Sequence, residues 1–208
     1  MEKLVDIYKR IIAGPWTNGA LDNQYRLTIN NGIAELVIMG SVSWVDWVSN
    51  FMFWKVPYRD MPVKWRSHAG FLEAWKSIKD EIVEKLQECK QIKVYGYSRG
   101  AAIAVLAHEW FAFNGYDVET RVFGCPRAIA CKKDSVVLER FRTLYVYNNK
   151  GDIVTMLPPK LLGYVDVGNI VRLGTGFRFP CAKWHLIPQY IKELSQLPTA
   201  YRGGGLFR

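Results

Sequence analysis

Ser98 stands between two glycines in Gly96-Tyr97-Ser98-Arg99-Gly100, where the β-like run "IKVYGYS" gives way to an Ala-rich apolar run. A serine at such a strand-to-helix turn is a candidate nucleophile. It sits at a strained backbone conformation, and side chains at the flanking positions would strike the adjoining strand and helix. Glycine at both positions removes that obstruction. The helix expected from Arg99 to about Phe113 also turns its N-terminal N–H groups and positive dipole end toward the serine. An ordinary glycine-rich turn carries the same letters, so the chemistry depends on partners elsewhere.

A serine hydroxyl needs a base, and imidazole is the usual one. The chain has three histidines. His108 lies ten residues along the same helix, roughly 15 Å from Ser98 along the axis, too far to help. His68 precedes the serine, whereas in α/β-hydrolases the order is nucleophile, acid, histidine. That leaves His185, in "KWHLIP" before the last apolar helix. The carboxylate that orients it should lie between the two. Asp152 follows the β run "RTLYVYNN" in a loop closed by Pro158-Pro159 and is preferred, with Asp166 in reserve; Asp117 and Asp134 fall in turn-like polar contexts. Such a carboxylate fixes the imidazole tautomer and stabilises its charged form. Two donors must then meet the oxyanion: the backbone N–H of Arg99, and Ser41 in "LVIMGSVSWVDW", where Gly40 allows close approach.

The elements that must hold these groups are legible in the pattern. Residues 2–13 carry Leu4, Ile7, Tyr8, Ile11 and Ile12 at helical spacing. "YRLTI", the turn Asn31-Gly32 and "AELVIMG" predict a hairpin. Phe71, Trp75, Ile78, Ile82 and Leu86 stripe a long amphipathic helix, with Ser67 as its expected N-cap. "VETRVFG" and "RTLYVYNN" read as further strands, and "LGYVDVG" with "NIVRLG" as a second hairpin. The last helix takes Pro188 in its first turn, and "YRGGGLFR" reads as a loose tail. Strands alternating with helices argue an α/β class, with parallel core strands extended by antiparallel hairpins.

With 208 residues, half of them apolar, one domain over 1–208 is the simplest expectation. No apolar run reaches the length of a membrane span, and "MEKLVDIYKRIIAG" lacks the pattern of a secretory signal. A cytoplasmic setting is therefore expected, with export by another route left open. Cys89, Cys125, Cys131 and Cys181 have no metal-like spacing and read as free thiols. The net charge of +9 arises wholly after residue 120, where 14 Lys and Arg face 5 Asp and Glu. These cations are scattered singly apart from Lys132-Lys133. They suit a solvated basic surface, or attraction to an anionic membrane or lipid droplet, better than nucleic acid, whose binding is not expected.

Taken in order, the segments resemble the class 3 (fungal-type) lipase family of α/β-hydrolases. "IMGSVSWVDWVSN" is similar to its oxyanion stretch, "SHAGFLEAW" to its HxGF helix start and "VYGYSRGAA" to its GHSLGGA elbow. "FGCPR" matches its FGxPR strand end, "NNKGDIVTMLPP" its acid loop and "WHLIPQYI" its terminal histidine segment. Met39, Tyr97 and Arg99 depart from the usual Arg, His and Leu. The resemblance implies an α/β-hydrolase-type mixed, mainly parallel central sheet flanked by helices. It also implies cleavage of carboxylic esters of lipids, with no metal or organic cofactor. Gly40, Tyr97, Trp44 and Trp47 are the residues expected to meet substrate. The aromatics of "VDWVSNFMFWKVPYRDMPVKW" suit either a lipid-facing lid or acyl pocket, or completion of the core. A phospholipase, a thioesterase and a non-catalytic lipid-binding protein of the same fold are the alternatives.

Overall fold

A computed structural model describes residues 2–39, 54–87, 89–131 and 139–198. Seven strands form the main sheet: β1 (Thr17–Asn18), β2 (Gln24–Asn30), β3 (Ile33–Ile38), β6 (Gln91–Tyr97), β7 (Asp117–Phe123), β9 (Leu144–Asn149) and β11 (Asn169–Leu173), adjacent in that order. The first three pair antiparallel, and β3, β6, β7, β9 and β11 run parallel. The expected hairpin is β2–β3, closed at Asn31-Gly32 with both residues at positive φ. A smaller sheet joins β4 (Lys55–Pro57), β5 (Arg66–His68), β8 (Ile129–Ala130) and β10 (Tyr164–Val165).

Helices cover both faces. On one lie α2 (Ala69–Leu86) and α3 (Arg99–Phe113), burying Phe71, Trp75, Ile78 and Ile82 with eleven of the fifteen residues of α3. On the other, α1 (Leu4–Ile12) and α4 (Ile187–Ser195) enclose an aromatic cluster of Tyr8, Tyr97, Phe123, Tyr147 and Tyr190. The small residues Gly100, Ala101, Ala102, Ala104 and Ala107 let α3 lie close to the strands on either side of it in sequence. No helix among the described residues is long and apolar enough to cross a membrane.

Two expectations fail on physical grounds. The segments around Tyr164 and Ile170 do not pair as a hairpin: β10 joins β8, while β11 crosses to lie parallel to β9. Between them Asp166 is drawn to Arg127 at 2.7 Å, and the Asn169 amide donates to the carbonyls of Arg142 and Leu144, which fixes β11 on its parallel neighbour. Ser67 is not the cap of α2, which starts one residue later with His68 at the N-cap. Its hydroxyl instead donates to the Ala128 carbonyl at 3.2 Å, inside the smaller sheet.

Candidate active site

Parallel strands end together, so β6, β7 and β9 bring residues 98, 124 and 150 to one edge of the sheet. Ser98 occupies the turn from β6 into α3 with φ 57° and ψ −127°, a left-handed conformation costly for any residue but glycine. Its N–H donates to the Phe123 carbonyl at 3.0 Å, and its own carbonyl accepts from Ala101. The flanking glycines are sterically required. A Cβ on Gly96 would sit 2.5 Å from the Gly100 carbonyl oxygen, and one on Gly100 would run into the Ile38 carbonyl at the end of β3.

His185 closes a short 3₁₀ turn, Ala182–His185, ahead of α4. Its Nε2 lies 2.7 Å from Ser98 Oγ, and its Nδ1 lies 2.8 Å from Asp152 Oδ2. Asp152, three residues beyond β9, is fully buried. Its Oδ1 accepts the Val154 N–H at 3.0 Å, and its Oδ2 also accepts the Tyr190 hydroxyl at 2.7 Å. A carboxylate only accepts, so Nδ1 carries the ring proton and Nε2 turns a lone pair to the serine hydroxyl. Three donors around the carboxylate offset the cost of burying its charge.

A tyrosine scaffold supports the pair. The Tyr190 hydroxyl accepts the Asn149 N–H at 3.1 Å while donating to Asp152. Burial first, then the Asp152 charge, pushes its pKa well above the ordinary value, so it stays a donor. Tyr97, expected against substrate, stands beside the histidine: its ring stacks on the imidazole with centroids 5.2 Å apart and planes 16° apart. Its hydroxyl donates to the His185 carbonyl. Gly124, at φ 58°, leaves room for the imidazole, because a Cβ there would lie 2.9 Å from His185 Cε1 and 3.2 Å from the Tyr190 hydroxyl.

Arg127 of "FGCPR" fastens the loop that carries Asp152. Its guanidinium donates to the carbonyls of Met156 and Pro158, and its backbone N–H to that of Leu157 at 2.7 Å. The same side chain pairs with Asp166, which Lys160 also meets at 2.7 Å. Burial alone would raise the Asp166 carboxyl, yet these cations hold it below the usual range. The reserve carboxylate is thus engaged in fixing the loop, and Asp152 is the one that meets His185.

The other histidines lie in the core. His108 bonds Thr120 and the Arg140 carbonyl, each at 2.8 Å, and burial pushes its pKa down to about 4. His68 packs on Phe71, with centroids 4.4 Å apart. Arg99 opens α3, so its backbone N–H belongs to the first turn behind the serine. Its side chain donates to Asn23 at 2.7 Å, tying the helix to the start of β2. Gly40, Ser41, Trp44 and Trp47 lie outside the described residues. Tyr190, Gly124 and Arg127 were absent from the residues selected on the sequence. Each carried a signal: a tyrosine on the apolar face of the helix after His185, and a glycine and an arginine in the quoted strand-end motif.

The sequence pattern of the lipase (class 3) family matches residues 36–162, more than half of the chain. That span includes Ser98 and Asp152 and stops short of His185, whose place rests on the geometry above. The chain is 27% identical over 143 residues to secreted mono- and diacylglycerol lipase 1 of Fusarium solani, covering 65% of this chain and 43% of that one. It is 35% identical over 96 residues to phospholipase A1-IIdelta of Arabidopsis thaliana, covering 44% and 23%. The chain thus spans less than half the length of either relative. The mono- and diacylglycerol lipase of Aspergillus oryzae shares the fold, with a TM-score of 0.68 at 24% identity over 77% of this chain and 62% of that structure. By the extent of the family match, the chain belongs to the lipase (class 3) family.

Proposed function

We propose that the protein is a serine hydrolase that cleaves carboxylic esters of lipids through an acyl-enzyme. The observation that carries this reading is the unbroken chain from Ser98 Oγ through His185 to the buried Asp152, at 2.7 and 2.8 Å. Ser98 attacks the ester carbonyl while His185 Nε2 takes its proton, and the same nitrogen then delivers that proton to the leaving alcohol. Asp152 keeps Nδ1 protonated and stabilises the imidazolium that forms between the two transfers. The Arg99 N–H and Ser41 serve the oxyanion in this reading. A water activated by His185 attacks the acyl-Ser98 carbonyl, releases the fatty acid and restores the hydroxyl.

The lipid nature of the ester is supported by family membership and by the two curated relatives, named for acylglycerols and for a phospholipid. The substrate would be met at a lipid surface, a membrane or a droplet. The test is hydrolysis of short- and long-chain p-nitrophenyl esters by the wild type and by Ser98→Ala. Loss of turnover in the variant is expected at every chain length, and equal rates for the two proteins would sink the assignment. Parallel assays on diacylglycerol and on phospholipid then separate the two lipid classes.

A further inference from the structure

Large apolar side chains exposed to water are unevenly placed. Of the eleven among the described residues, seven lie on two loops beside the candidate active site. Ile153, Met156, Leu161 and Leu162 follow β9, and Phe177, Phe179 and Leu186 follow β11. These strands are parallel neighbours, and their loops are stitched together: the Lys150 N–H donates to the Leu173 carbonyl, and the Cys181 N–H to that of Gly151. The apolar groups therefore emerge at the edge of the sheet that carries Ser98, Asp152 and His185.

The second loop inverts the usual polarity of a protein surface. In Phe177-Arg178-Phe179 the rings are 91% and 79% exposed, while the arginine between them is 13% exposed. Arg178 turns inward, donating to buried Glu193 at 2.6 Å and stacking on Trp184 at 4.3 Å. Its anchorage fixes the alternation that turns both rings outward. Leu161 is 96% exposed on the first loop beside Lys160, whose head is tied to Asp166. Single exposed apolar residues are ordinary, but such a concentration marks a contact surface.

The charge around it identifies the partner. Residues 150–186 carry five Lys and Arg against two Asp, and one of these, Asp152, is buried beside His185. Lys160, Arg172 and Lys183 are exposed, and Lys55 reaches the Leu162 carbonyl at 2.7 Å. Exposed rings and leucines with a basic surround are the composition that binds the boundary of an anionic bilayer, where apolar groups enter the acyl region and cations meet the headgroups. We propose that these two loops dock the protein on an anionic phospholipid bilayer, with Leu161, Phe177 and Phe179 entering the headgroup boundary and Lys160, Arg172 and Lys183 reading its charge. The proposal rests on the lipid-ester reading for its purpose, since it brings the site to its substrate's surface, but binding can be measured without turnover.

The experiment is flotation of the full chain, carrying Ser98→Ala to keep the lipid intact. The vesicles are phosphatidylcholine alone, or phosphatidylcholine with phosphatidylglycerol. Association with the anionic vesicles is expected, weakening as salt rises. Adding Phe177→Ser and Phe179→Ser should lower the partition coefficient at least about tenfold. On the Ser98 background, the same two changes should leave hydrolysis of a soluble short-chain ester unaltered, which also shows that the fold survives. Equal binding to neutral and anionic vesicles would overturn the proposal. So would unchanged binding by the double variant, or a dimer that these changes dissociate without any vesicle binding. Absence of ester hydrolysis in the wild type would instead strike the functional reading and leave the flotation result to stand by itself.

Discussion

Asp152→Asn probes the triad at the point where geometry constrains it most. The carboxylate serves three donors: Val154 N–H on Oδ1, and His185 and Tyr190 on Oδ2. An amide can satisfy them in only two ways. With its oxygen on the Val154 N–H, its NH₂ faces His185 Nδ1 and forces the ring proton onto Nε2, which then cannot accept from Ser98. With its oxygen toward His185, the NH₂ opposes the Val154 N–H and leaves a buried donor without a partner. That arrangement costs about 1–3 kcal/mol, so roughly 1–15% of molecules keep the productive tautomer. Those molecules also lack the negative charge that stabilises the imidazolium. Together the two effects place kcat about 10³–10⁴-fold below wild type, with KM little changed. Steady-state and burst kinetics on a p-nitrophenyl ester measure this, with circular dichroism to confirm folding. A matching Asp166→Asn variant should lose stability, through Arg127 and Lys160, while its folded fraction keeps activity within about tenfold of wild type. Asp152→Asn activity within tenfold of wild type would refute the assignment of the acid.

Three further outcomes follow from residues around and behind the site. Gly124→Ala puts a Cβ 2.9 Å from His185 Cε1 at a φ of 58°, so the imidazole must shift and kcat should fall about 100-fold, as steady-state kinetics will record. His108 is held neutral, with a folded pKa of about 4 against about 6.5 unfolded, so the unfolded chain binds the extra proton between these values. Stability is then lost as pH falls from 6.5 to 4, by up to about 3 kcal/mol from this group. The difference in urea unfolding between wild type and His108→Gln, which keeps one donor and one acceptor, should show that slope. Glu109, fully buried, accepts from Arg140 at 2.9 and 3.0 Å and from Trp65 at 3.3 Å. Glu109→Ala takes the acceptor from the buried Trp65 indole N–H and the counter-charge from the partly exposed Arg140, and should cost about 1–3 kcal/mol in denaturant unfolding, with the kcat of folded molecules unchanged.

The parts of this fold legible in the sequence are those set by local chemistry. Asn31-Gly32 turns the first hairpin because few other pairs accept positive φ at both positions. Gly96 and Gly100 announce the elbow because nothing larger fits between β6, α3 and β3. The chain order of Ser98, Asp152 and His185 narrows the triad because two histidines follow the serine and one of them, His108, sits on the serine's own helix. What was not legible depends on partners distant in sequence. Alternation in "LGYVDVG" and "NIVRLG" marks extended chain but cannot say which neighbour each strand pairs with, and Asp166 and Asn169 settle that through Arg127 and the carbonyls of Arg142 and Leu144. Ser67 has the letters of a cap, yet the carbonyl of Ala128, 61 residues away, takes its hydroxyl. Tyr97 reads as a wall of the substrate site and Tyr190 as part of an apolar helix face until the fold sets them against His185 and Asp152.

The most direct test of Ser98 as an activated nucleophile is reaction with a fluorophosphonate probe, followed by mass-spectrometric location of the adduct. The hydrogen-bonded chain to His185 and Asp152 calls for a single adduct on Ser98. It should be absent in Ser98→Ala and slowed by orders of magnitude in His185→Ala. Folded wild-type protein that stays unlabelled, or that carries the adduct on another serine, would contradict it.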